Sequence, residues 1–135
     1  MQIELTSKEF RNLLDMVYIG NWVLNSTRGD DRFQIYDDLE SKLFALAREN
    51  GMKVLAQDSE GTVVPSKAYT EGGIHEAIAY YEDNVFYQIL AEELSRRDMN
   101  YPEITSDNYN EIIIRMERYM SEFEVSGVDH LVLED

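Results

Sequence analysis

The side chains with the widest chemical reach in this chain are two histidines, His75 and His130, and they stand far apart in sequence. His75 is followed by Glu76, but a zinc-protease helix needs a second histidine four residues after the first, and Ala79 holds that position. A carboxylate-bridged di-metal centre draws Glu-x-x-His from two helices, and no such spacing occurs. Glu71 and His75 are four apart, yet Gly72-Gly73 between them weakens any helix that would align them. Asp30, Asp31, Asp37 and Asp38 do not follow the calcium-loop spacing. Ser66 and Ser95 lack the glycine-flanked elbow that exposes a serine nucleophile. No glycine-rich phosphate loop is present, and Glu71-Gly72-Gly73-Ile74 carries no lysine to neutralise phosphate. With no cysteine, thiol catalysis, disulfides, iron–sulfur clusters and cysteine-ligated zinc are excluded. The expectation is a non-enzymatic protein without metal or cofactor.

Two groups of polar side chains remain as binding candidates. At 100° per residue, Asn21 falls inside the apolar sector of the first helix, with Tyr18 and Asn25 beside it. Buried amides and phenols must hydrogen-bond. Either these three satisfy a neighbouring segment, or they line a patch that contacts a small ligand, which His75 could join. The second group is Tyr80-Tyr81, in an acidic stretch. Adjacent helical residues point about 100° apart, so one neighbour cannot bury both. Tyrosine suits a core edge and a protein interface alike.

The charge narrows the partners. Twenty-seven acids against twelve bases give −15. Residues 1–50 hold nine acids and six bases, and residues 51–135 hold eighteen and six, so the second part carries −12 of the total. Beyond Arg96-Arg97 there is no basic cluster to neutralise phosphates, which argues against direct nucleic-acid binding. No apolar run approaches the ~20 residues of a membrane span, and the N-terminus lacks a signal-type pattern. These features predict a soluble cytoplasmic protein with no membrane role.

The elements that would position these residues are helices. At 135 residues, 44% of them hydrophobic, the chain can bury a core, and only two prolines interrupt it. Thr6 and Glu9 have capping-box spacing and open a first helix to Asn25 whose second half, Met16–Leu24, is apolar nearly all round. Such a segment needs cover on every side, from the fold or from a second copy, and Gly20 within it would admit a close backbone. A second helix from Arg32 or Phe33 to Asn50 has Ile35, Leu39, Leu43 and Leu46 as its buried stripe, widened by Tyr36 and Ala47, with Gly51 as terminator. Residues 52–64 read as a small β-hairpin with a five-residue loop at Gln57–Gly61, or as an ordered loop in its place. A short helix over Ile74–Tyr81 is followed by another, capped at Asp83 or Asn84, to Asp98. Glu92–Arg96 and Glu93–Arg97 sit on its outer side in the favoured order. The last helix runs from Ser106 or Asp107 to Ser126, with Tyr109, Ile112, Ile113, Met116, Tyr119, Met120 and Phe123 on one side. Gly127 stops it, and Val128–Leu133 would dock as an apolar tail.

The fold expected is mainly α: one compact helical domain of four to five helices. The function expected is an acidic protein-interaction or regulatory domain, self-associating as a homodimer or binding another protein. Two alternatives remain in view. One is an acidic mimic of nucleic acid that inhibits a DNA-binding protein, which needs its carboxylates in an ordered track. The other is a small-molecule binder or hydrolase that uses the Tyr18, Asn21 and Asn25 side of the first helix.

Overall fold

The computed structural model describes residues 1–134, a mainly α-helical chain with one two-stranded antiparallel hairpin. They pack as two units, Met1–Ile78 and the residues from Ala79 onward. The division falls inside a continuous helix, and each unit is described by itself.

The first unit opens with α1 (Ser7–Asn25), fixed at its start by a complete capping box. Thr6 N donates to Glu9 Oε2 at 2.7 Å, and Glu9 N donates to Thr6 Oγ1 at 3.2 Å. Both therefore satisfy groups the first helical turn leaves free. α1 packs on α2 (Gln34–Glu49), which ends before Gly51 in the left-handed region. One turn of 3₁₀ helix (Lys53–Leu55) leads into β1 (Ala56–Ser59), paired with β2 (Thr62–Pro65). Ser59 pairs with Thr62, so the loop is Glu60-Gly61 alone, both residues at positive φ. That is the mirror-image turn whose twist matches a two-residue hairpin, tighter than the five-residue loop expected. The one-turn helix α3 (Lys67–Tyr69) follows, and a wide turn over Thr70–Ile74, made possible by Gly73 at φ 114°, delivers His75 to the start of α4 (His75–Asp98). The core is Leu14, Tyr18, Phe44, Ala47, Ala56, Tyr69, Ile74 and Ile78. Tyr69 stands edge-on to Phe44 at 4.9 Å and to Tyr18 at 5.3 Å.

Several expectations are corrected here. α1 buries one face, Leu14, Tyr18, Asn21 and Asn25, while Met16 is 71% exposed and Val23 is also open, so the described residues do not enclose Met16–Leu24. Among the described residues, no other element comes within 4 Å of where a Cβ on Gly20 would sit, so no backbone approaches closely there. On α2 the buried residues are Glu40, Phe44 and Ala47. Of the expected stripe, Leu43 packs against the core and Ala47 is buried, whereas Ile35 is 72% exposed and Tyr36, Leu39 and Leu46 are also open. The short and long helices expected around residue 82 are one helix. Asp83 and Asn84 lie inside it, and Asn84 Nδ2 donates back to Tyr80 O instead of capping.

In the second unit, the rest of α4 is joined by residues 99–108 to α5 (Tyr109–Ser126). Asn100 and Tyr101, both at positive φ, turn the chain. Ala91, Ser95, Ile112 and Phe123 are buried, and Tyr87 meets Phe123 at 5.4 Å. At α5's end Gly127 takes φ 54°, with the Tyr87 hydroxyl 3.3 Å from where a Cβ would sit. The segment beyond it does not dock: Val128, Leu131, Val132 and Leu133 are all exposed. Of the two expected ion pairs on α4, Glu92–Arg96 forms loosely at 3.9 Å, whereas Arg97 turns to Asp98 and Tyr119.

Candidate functional site

Tyr18, Asn21 and Asn25 come together as the wheel predicts, and their partners arrive from other elements. Asn25 Oδ1 accepts from Phe33 N at 2.8 Å, while its Nδ2 donates to Phe33 O at 3.1 Å and to Asn21 Oδ1 at 2.8 Å. That clamp ties the end of α1 to the entry of α2. Asn21 Nδ2 donates to Glu40 Oε2 at 2.6 Å and to Asp37 Oδ1 at 3.0 Å. Arg32 forks onto Asp37, Nε to Oδ2 at 3.0 Å and Nη2 to Oδ1 at 2.7 Å, and its Nη1 donates to Asn25 O at 3.2 Å. Tyr18 Oη and His75 Nε2 share a hydrogen bond of 2.6 Å.

These groups border an open cleft of about 310 Å³ lined by Tyr18, Asn21, Trp22, Arg32, Asp37 and Glu40, with Ser26 at its edge. Trp22 stacks loosely with Tyr18 at 6.3 Å, and His75 stands edge-on to Trp22 at 4.7 Å. Electrostatics set the two carboxylates apart. The Arg32 hydrogen bonds hold Asp37 below the usual carboxylate range, with Asn21 assisting. Burial pushes Glu40 up, against the hydrogen bond from Asn21. Burial raises Tyr18 as well, and the Glu40 charge adds to it, so the neutral phenol is the form that bonds His75.

The remaining chemistry-bearing residues are engaged in structure. Ser66 Oγ caps α3, accepting from Tyr69 N at 3.1 Å and donating to Val54 O at 2.5 Å. Ser95 Oγ donates to Ala91 O at 2.7 Å in the core of the second unit. His130 meets Glu122 at an exposed position. Among the described residues, no group of three His, Asp or Glu could hold a metal ion and no helix is long and apolar enough to cross a membrane.

Tyr80 and Tyr81 are exposed, at 75% and 62%. Tyr81 stands at one end of an open, largely apolar groove of about 470 Å³ between α4 and α5. Val85 and Ile89 continue it along α4, Ile113, Met116 and Met120 form the opposite wall, and Glu92 and Glu117 also line it. Tyr81, Val85 and Ile89 are each four residues apart, one stripe on one helix. The α5 wall carries residues the sequence assigns to burial, but they face this groove only half covered. No sequence signal distinguishes a stripe that packs from one that stays open.

Comparison with protein-family models, with characterised proteins and with solved structures finds no match to this chain.

Proposed function

We propose that this chain is a non-enzymatic protein-interaction domain whose α4–α5 groove receives a basic, apolar-faced helix of a partner protein. The groove itself carries the reading. Its apolar stripe and opposing Ile113, Met116 and Met120 offer the i, i+4 spacing that an amphipathic helix matches. Methionines adapt to the side chains that enter. Fourteen acids against four bases from Ala79 onward give that unit −10, which favours a basic partner and opposes a second copy. Fully burying one large apolar side chain is worth about 1.5–3 kcal/mol, so a few anchors supply measurable affinity.

The test uses a synthetic twenty-residue Lys/Leu amphipathic helix and its Glu/Leu counterpart, titrated against the full chain by fluorescence anisotropy. The basic helix is expected to bind, more weakly in high salt, and the acidic one not to bind. Ile89→Gln with Met120→Gln leaves the charge unchanged and should cost at least tenfold in affinity. Equal binding of both helices, or no loss in the double variant, would overturn the proposal. So would a dimer in sedimentation that the double variant dissolves, because a second copy would then be the occupant.

A further inference from the structure

The cleft beside α1 contains one buried charge that the protein leaves half engaged. Glu40 is only 8% exposed, and its Oε2 accepts from Asn21. Its Oε1 accepts from no group among the described residues, and no cation pairs with the carboxylate. The nearby guanidinium of Arg32 is committed to Asp37 by two hydrogen bonds, and those two charges offset each other. Glu40 is thus the uncompensated anion of the cleft. A buried carboxylate without a counter-charge is costly, which makes the cleft receptive to a cation.

The walls suit the same guest. Tyr18 and Trp22 line the cleft with aromatic surface, and Trp22 is only half buried. The His75 hydrogen bond pins the Tyr18 hydroxyl, and the His75 ring braces Trp22 edge-on, so the walls are set in advance. Aromatic faces attract cations most strongly where water is partly excluded. An ammonium is a compact point charge that needs only one acceptor oxygen, and Glu40 Oε1 supplies it beside the aromatic walls.

We infer that the cleft of Tyr18, Trp22 and Glu40 is a binding site for a primary alkylammonium group, its charge on Glu40 Oε1 and its alkyl stem against the aromatic rings. This site belongs to the first unit and stands independently of the α4–α5 groove.

Trp22 is the chain's single tryptophan, so its fluorescence reports the cleft directly. Pentylammonium, capped lysine (Nα-acetyl-lysine N-methylamide) and the neutral pentan-1-ol are titrated into the full chain at constant ionic strength. Pentylammonium is expected to give a saturable change, with pentan-1-ol at least tenfold weaker. Glu40→Gln preserves the size of the side chain and an acceptor for Asn21, and it should weaken pentylammonium at least tenfold. Saturation by capped lysine as well would identify a lysine side chain as a source of the ammonium, and saturation by pentylammonium alone a free small amine; both support the site. An equal response to pentan-1-ol on the wild-type chain, an unchanged affinity in Glu40→Gln, or no saturation by either amine would overturn it.

Discussion

The two units differ in the polar groups they bury. The first buries eight hydrophobic residues and, among them, Asn21, Asn25 and Glu40, whose amides and carboxylate are joined in one hydrogen-bonded network. The second buries Ala91, Ile112 and Phe123, leaves Arg96 Nε as the one buried side-chain polar atom without a partner among the described residues, and keeps a groove open along two helices. Buried polar networks fix which helix faces meet, because a slip would leave donors and acceptors unpaired. An apolar groove has no such exclusivity and accepts what fits. The division is between a hydrogen-bonded polar network that leaves one Glu40 oxygen open and an apolar groove that the described residues leave uncovered.

The contrast can be broken at several points. Phe44 is fully buried against Tyr69, so Phe44→Ala should have the largest effect, about 3–5 kcal/mol of the first unit's stability. Urea unfolding followed by Trp22 fluorescence measures it, and a cost below ~1 kcal/mol would mean that this core is not the one that holds the unit. Glu40→Gln gives a subtler, pH-dependent outcome. Burial raises the Glu40 carboxyl, so the folded chain holds its proton more tightly than the unfolded chain. The folded chain's advantage is therefore complete below the ordinary carboxylate range and is lost as pH rises through the raised value. The Gln variant lacks that loss, so it should gain on wild type as pH rises toward neutrality and converge with it in acid. A gap that widens in acid would contradict the assignment. The smallest effect is expected at Met16, 71% exposed on α1: Met16→Gln should stay within about 0.5 kcal/mol of wild type. A large loss would mean that Met16 is covered in solution, by a second copy or otherwise.

Local chemistry was legible in the sequence, and choices of cover were not. The capping box needs only Thr6 and Glu9, three residues apart, and it forms as read. The grouping of Tyr18, Asn21 and Asn25 follows from helical geometry alone. Their partners Asp37, Glu40 and His75 lie between 16 and 57 residues away, and no spacing rule joins them. α2 misleads in part: Leu43 and Ala47 of its apolar stripe pack on the core, but Ile35, Leu39 and Leu46 stay open while Glu40 goes in. Asn21 meets that carboxylate with a hydrogen bond. α4 misleads for another reason: Ile78 and Ala91 are both buried, yet they lie about 140° apart on the wheel, so no single apolar face marks the helix as continuous. Gly72-Gly73 punctuates as expected, but the break it makes lies wholly before His75.

Hydrogen exchange of the full chain, resolved by residue, with and without the Lys/Leu helix, tests the division between the units most directly. Closing the groove should slow exchange in α4 from Tyr81 onward and in α5, and leave α1 and α2 unchanged, since cover raises the local opening energy only where it is made. Protection confined to α1 and α2, or spread evenly over both units, would contradict it.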